Sequence, residues 1–224
     1  MCIGAGGLIS HVAPTLCRKG IGALTVLDDD EVEASNLNRQ RFYPGDIGKP
    51  KAIQMARHLR RECIQATRLT GHAMRLQETI GRRVDLCCDV ALCGVDNNPT
   101  RVLASKHFRQ LDIPIVFLAV SAQADHGYVF VQDVDGPCFG CLFPDALDDE
   151  RYPCPGTPAI ADILQIVGGL AVYAIDSCVM KREREWTYRS VWLPSGAWDA
   201  SRPVARNPDC AICGGTHIDG EPSN

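Results

Sequence analysis

Two Cys-x-x-Cys pairs, Cys138–Cys141 and Cys210–Cys213, constrain this chain more than any other feature. Each pair offers two thiolates at the angle a tetrahedral ion accepts, and four thiolates close its shell. A closed four-sulfur shell is structural, because no coordination position stays open for a substrate. The chain must therefore return from residues 142–209 to the neighbourhood of Cys138, stapling its C-terminal part onto an internal loop. A redox pair and two chance motifs are the competing readings. Two such pairs in one chain point to a metal, and zinc is the expected ion. The chain has twelve cysteines and does not open with a charged-then-apolar leader. That combination points to thiols and metal ligands in a reducing, cytoplasmic compartment rather than to a disulfide framework.

The 224 residues are enough to bury a core without disulfides, and 46% apolar with 22% charged residues is ordinary globular usage. A net charge of −4 gives no reason to expect a nucleic-acid partner. The longest apolar stretch, Gln165 to Asp176, is too short to span a bilayer, so no membrane partner is expected.

Strand and helix signals alternate. Met1 to Ile3 reads as a strand stub, Gly4-Ala5-Gly6-Gly7 as a turn, and Leu8 to Lys19 as a helix ended by Gly20-Ile21-Gly22. Pro14 should bend that helix. Ala23 to Leu27, Val90 to Val95 and Ile115 to Val120 read as buried strands, with Tyr128 to Val131 as a further neighbour. Lys51 to Cys63 and Pro99 to Gln110 read as helices. The alternation predicts an α/β, Rossmann-like, doubly wound and mostly parallel sheet.

The second part differs. Gly136 to Pro158 reads as an irregular loop, and Pro158 to about Met180 as a helix apolar nearly all round. Trp186, Tyr188 and Trp192 fall on one face of a strand over Trp186 to Leu193 and read as core. The expected organisation is a nucleotide-binding core over 1–135 whose first strand is truncated, a zinc-stapled lobe over 136–215, and a polar tail over 216–224.

The glycine loop can cradle a phosphate at the following helix terminus, or can be a plain tight turn. Asp28, at the end of the second strand, can accept from ribose hydroxyls. Ile9 stands where the dinucleotide fingerprint has its last glycine, and adds bulk near the expected nucleotide. Ser35-Asn36-Leu37-Asn38-Arg39-Gln40-Arg41, with Lys49 and Lys51, gathers groups that match phosphate oxygens; a solvated polar loop is the alternative. Asp96 ends a parallel strand, where it can hold Mg²⁺ or cap the next helix.

In order along the chain, Gly4-Ala5-Gly6-Gly7-Leu8, Leu27-Asp28-Asp29-Asp30-Glu31-Val32, Ser35-Asn36-Leu37-Asn38-Arg39-Gln40, Gly48-Lys49-Pro50-Lys51, Cys93-Gly94-Val95-Asp96-Asn97 and the two cysteine pairs resemble the ubiquitin-activating superfamily. The resemblance is to its bacterial ThiF/MoeB/HesA branch and runs from Gly4 to about Gly214. It implies an adenylyltransferase that uses ATP and Mg²⁺ to activate the C-terminal carboxylate of a small ubiquitin-like or sulfur-carrier protein ending in glycine. It implies that Gly4, Gly6 and Gly7 cradle the nucleotide, that Asp28 takes the ribose, and that Asn36 and Lys51 touch phosphates. It also implies that Asp96 serves Mg²⁺ and that Cys138, Cys141, Cys210 and Cys213 hold structural Zn²⁺. Arg39 resembles an arginine that reaches into a neighbouring subunit's site, which implies a homodimer. Cys154, in Arg151-Tyr-Pro-Cys-Pro-Gly-Thr-Pro, resembles a crossover-loop cysteine that receives the activated carrier. Thr157 is its expected helix N-cap and Pro158 the first helical residue. The family usually carries a helix and an arginine ahead of the first strand, whereas this sequence begins inside that strand. A catalytically inactive, zinc-containing relative acting as a binding or dimerisation module is the alternative. A nicotinamide-dependent dehydrogenase fits the glycine loop but not the zinc pairs or Asn36 to Gln40.

Overall fold

The computed structural model describes residues 1–121, 123–147, 160–194 and 200–214. Eight strands form one sheet: β1 (Cys2–Ile3), β2 (Ala23–Leu27), β3 (Arg68–His72), β4 (Ala91–Cys93), β5 (Ile115–Val120), β6 (His126–Gln132), β7 (Tyr188–Trp192) and β8 (Ala200–Arg202). Their spatial order is β3-β2-β1-β4-β5-β6-β7-β8. From β3 to β5 every pairing is parallel, and from β5 to β8 every pairing is antiparallel. The helices are α1 (Gly7–Arg18), α2 (Lys51–Leu59), α3 (Leu76–Gly81), α4 (Asn98–Gln110), α5 (Phe139–Leu142) and α6 (Ala161–Val179).

The near-continuous apolar strands are explained by burial on both faces. Along β5, Val116 and Leu118 join one core with α1, α2 and α6. Ile115 and Phe117 join the other, with Leu76 of α3 and Ala104 and Phe108 of α4. Helices on both faces of one sheet make the fold doubly wound, as the strand–helix alternation predicts.

Helix α6 is 19 residues long with a mean hydropathy of 1.5, long and apolar enough by length and composition to cross a membrane. The apolar stretch judged too short from sequence is thus part of a longer helix. In the fold it is a core helix: Ile163, Val167, Ala171 and Ala174 are buried against α1 and β5, and Asp176 near its end pairs with Lys19.

Several boundaries differ from expectation. Helix α6 starts at Ala161 with Ile160 as its N-cap, so the expected start at Pro158 with a Thr157 cap is corrected; those two residues lie outside the described ones. Helix α2 stops at Leu59, with Arg60 as C-cap, rather than at Cys63. Helix α1 spans Gly7–Arg18, with Pro14 inside it, rather than Leu8 to Lys19. The expected irregular loop after Gly136 contains α5 and a 3₁₀ turn at Pro144–Leu147. Of the three aromatics read as core, Trp186 is buried and stacks on Tyr173, Tyr188 is half-buried, and Trp192 is exposed and stacks on His126.

Candidate active site

Strand order reverses at β1, which sits between β2 on one side and β4 on the other. In open α/β sheets the crevice beyond the carboxyl ends of the strands at such a switch point is where ligands bind. Here that crevice is a cavity of about 1190 Å³. Its walls include Gly4, Gly6, Gly7, Asp28, Asn36, Arg39, Gln40, Lys51 and Asp96, so segments far apart in sequence converge on one space.

The glycine loop forms the floor. Gly4 has φ +95°, and a Cβ there would press on Val95 Cγ1 at 3.3 Å, so both conformation and space require glycine. A Cβ at Gly6 would meet nothing within 4 Å, which leaves the backbone open to a ligand. Gly6 is also the N-cap of α1, with no side chain to satisfy the first-turn amides and no acidic residue in that turn. Unsatisfied amides and the helix dipole together favour an anion there. Ile9 does not crowd this floor. It is fully buried, and its Cδ1 lies 2.8 Å from where a Cβ of Gly94 would stand. The close helix–strand approach that a glycine on the helix usually permits is supplied instead by a glycine on the strand side.

Asp28 ties the loop to β2. Its Oδ2 accepts from the Ala5 amide at 2.6 Å and its Oδ1 from the Asp30 amide at 2.9 Å. Burial pushes its carboxyl above the ordinary value, against the pull of those two amides. Asn36 is 6% exposed, and its Oδ1 accepts from Glu33 N at 3.0 Å, fixing the turn that presents it. Lys51, 7% exposed, begins α2 and donates to Asp30 Oδ2 at 2.7 Å. Arg39 donates to Ser35 O at 2.7 Å and lines the cavity of its own chain. Gln40 is buried beside it, and its Oε1 meets no donor among the described residues.

Asp96 is exposed to the cavity and has no hydrogen bond or ion pair among the described residues. The capping alternative is settled by its neighbour: Asn97 is the N-cap of α4 and accepts from Thr100 N at 3.0 Å. An exposed carboxylate lining a cavity that also holds Asp28, Asp29 and Asp30 is a group with capacity to hold a hard metal ion. Cys154 lies outside the described residues.

Sequence reasoning missed other wall residues. Arg75 pairs with Asp29 at 2.6 Å, and Arg101 donates to Val95 O at 2.8 Å. Ser121 and His126, at the β5–β6 turn, complete the far wall. Ser121 directly follows the C-terminal end of β5, and Arg101 lies in the first turn of α4, the helix that follows β4; position after a parallel strand is the signal that could have found them.

Away from the cavity, the sulfurs of Cys138, Cys141, Cys210 and Cys213 lie within 4.8 Å of one another. Cys138 Sγ is 3.7 Å from Cys141 Sγ and 3.4 Å from Cys210 Sγ, and Cys141 Sγ is 3.4 Å from Cys213 Sγ. A tetrahedron with metal–sulfur bonds of about 2.3 Å has edges of about 3.8 Å, so the donor set fits. Amides of Asn207 and Ile212 point at Cys141 and Cys210 sulfurs, each at 3.4 Å, as they would at thiolates. Against the upward push of burial, the amides of Cys213 and Ile212 draw the Cys210 thiol down to about 7. The knuckle is seated by a buried network. Gln132 Oε1 accepts from Ser105 Oγ at 2.6 Å and from Phe139 N at 3.1 Å, joining β6, α4 and α5.

Proteins that bind nucleotides across the carboxyl ends of parallel strands form the class to which this fold belongs. Within it, the model of the ThiF family matches residues 1–212, and the chain belongs to that family. It is 31% identical to the SAMP-activating enzyme E1 of Haloferax volcanii, over 97% of this chain and 80% of that protein. It is 29% identical to the sulfur carrier protein ThiS adenylyltransferase of Escherichia coli, over 98% of this chain and 87% of that one. Among solved structures, E. coli MccB superposes with a TM-score of 0.79 at 19% identity, over 95% of this chain and 66% of that one. The likeness to MccB is one of fold, and this chain spans just under two thirds of that protein's length.

Proposed function

We propose that this chain adenylates the C-terminal carboxylate of a small ubiquitin-like or sulfur-carrier protein that ends in glycine, using ATP. The observation that carries this reading is that Asp96, with no hydrogen bond or ion pair among the described residues, lines one cavity with Asn36, Arg39 and Lys51 at the α1 N-terminus. A carboxylate is already a nucleophile, so the reaction needs alignment with the α-phosphate and neutralisation of charge on leaving pyrophosphate. The α1 amides and Gly6 backbone receive phosphate oxygens. Lys51 and Arg39 neutralise charge, Asn36 orients, and Asp28 faces the ribose. Asp96 would hold Mg²⁺, which supplies charge neutralisation on the phosphates. Relatives named as adenylyltransferases of sulfur carriers support the reading.

The four cysteines would hold a structural Zn²⁺ with no open position, and the buried free thiols suit a cytoplasmic setting. A homodimer and transfer of the carrier to Cys154 belong to the same reading. The test is ATP–pyrophosphate exchange with a carrier ending in Gly-Gly. Wild type should exchange, and Lys51→Ala and Asp96→Ala should each lose roughly 10²–10³-fold in rate. Exchange that survives both substitutions would overturn the reading.

A further inference from the structure

Among the titratable groups that line the cavity, His126 has no work in adenylation. At the β5–β6 turn, Asp125 Oδ1 accepts from Ser121 Oγ at 2.6 Å and lies 2.9 Å from His126 Nδ1. The hydrogen bonds from Ser121 and His126 hold the Asp125 carboxyl below the ordinary range, so it is an anion at neutral pH. An anion at Nδ1 keeps the ring proton there and leaves the Nε2 lone pair outward. The ring is fixed by stacking on Trp192, with centroids 4.7 Å apart and planes at 21°. His126 is 41% exposed on its side chain and lines the same cavity as Lys51 and Asp96; Nε2 has no partner among the described residues. The set is not a serine-nucleophile triad, since the Ser121 hydroxyl is turned to Asp125 and not to Nε2.

A carboxylate attacking ATP has no proton to lose, but a thiol consuming the resulting acyl adenylate does. Resting on the adenylation reading above, we propose that His126 is the general base of that second step. As the thiol sulfur bonds to the acyl carbon, its proton passes to Nε2. The acyl carbon–oxygen bond to phosphate breaks, and its electron pair leaves on the phosphate oxygen of AMP. Asp125 stays ionised and stabilises the imidazolium that forms. The products are a thioester, AMP and a protonated His126 that returns its proton to water.

The experiment uses the full chain, ATP and a carrier ending in Gly-Gly, with added thiols as probes. Release of AMP from the preformed acyl adenylate is followed in a single turnover. With an alkyl thiol, protonated at the assay pH, His126→Gln should slow release by roughly 10²-fold. With an aryl thiol already ionised at that pH, the same variant should differ from wild type by no more than about threefold, because no proton remains to be removed. Asp125→Asn removes the anion that fixes the tautomer, and should slow the alkyl thiol about tenfold with the aryl thiol spared. That gives a second reading should His126→Gln misfold. Equal losses with both thiols would make His126 a positioning residue and overturn the proposal, as would no loss with either. Pyrophosphate exchange by wild type separates the two readings. Its absence removes adenylation and this step together, whereas exchange without the thiol difference removes only His126.

Discussion

At the scale of single residues, the Ile9–Gly94 contact shows how one position compensates another. Gly94→Ala would drive a methyl into Ile9 Cδ1 and Cγ1, which stand 2.8 and 2.9 Å from the new atom. Overpacking of that kind costs about 1–3 kcal/mol. Ile9→Ala alone opens a cavity in a fully buried site and costs about 2–5 kcal/mol. Each change removes the other's problem, so the double variant should be less destabilised than the sum of the singles by about 1 kcal/mol or more, measured by denaturant unfolding. Simple additivity would show that the two side chains do not share the space. Arg39 gives a second test. It lines the cavity of its own chain with Asp96. A dimer of one Arg39→Ala and one Asp96→Ala chain then leaves a defect in each site, and exchange should not recover. Recovery in a confirmed mixed dimer would establish action across the interface instead. From sequence, the glycine loop, Asn36, Lys51 and Asp96 were legible because each sits in a run of its own chemistry. The partner of Ile9 was not, because Ile9 lies on α1 and Gly94 directly after β4, and only the packing of α1 on the sheet brings the two together.

At the scale of elements, the segment between Arg39 and Lys51 is fixed by a pin that carries no catalytic chemistry. Asp46 is buried; its Oδ2 accepts from Tyr43 N at 2.9 Å and lies 2.7 Å from His58 Nε2 on α2. Burial pushes its carboxyl up, but the Tyr43 amide and His58 outweigh this and hold it below the ordinary value. A depressed folded value means that its contribution is present above the unfolded value of about 3.9 and is lost as pH falls through the folded one. Asp46→Asn should therefore destabilise by about 1–3 kcal/mol at neutral pH, with the gap to wild type closing on the acid side. Equilibrium unfolding at a series of pH values reads this directly, and a gap independent of pH would remove Asp46 as its source. The elements missed from sequence have physical reasons as well. β3 is an edge strand with no fully buried residue, so its pattern is faint. Its Gly71 is required because a Cβ there would run into the Ala52 carbonyl of α2. α3 is six residues long, too short for its apolar period to repeat.

At the scale of the molecule, the sheet joins two regimes, and the cysteine knuckle belongs to only one of them. The parallel strands β1, β2, β4 and β5 contribute buried residues to the cores on both faces, which are covered by α1, α2, α4 and α6. The antiparallel strands β7 and β8 are half-exposed and exposed, and the chain beyond β8 is held by Cys210 and Cys213 against Cys138 and Cys141. Purified protein should carry about one Zn²⁺ per chain, since four thiolates fill one tetrahedral shell. Removing it with a chelator, or replacing Cys213 by Ser, releases a closure spanning residues 142–209 and leaves uncompensated thiols in a buried site. Because among the described residues β8 pairs only with β7, which joins it to β6, protection lost there need not reach β5. Besides the β5–β6 pairing, the halves are linked by the Ser105–Gln132–Phe139 network, which binds the knuckle's first turn to α4, whose N-terminal residues form a wall of the cavity. Hydrogen exchange should therefore show β7, β8 and the knuckle losing protection first on metal removal, α4 losing it partly, and β1 to β5 retaining it. Nucleotide affinity should fall modestly rather than vanish. Simultaneous loss across all eight strands would mean that the metal stabilises the entire sheet as one cooperative unit. No change at β7 and β8 would mean that the cysteines hold no metal that matters to the fold.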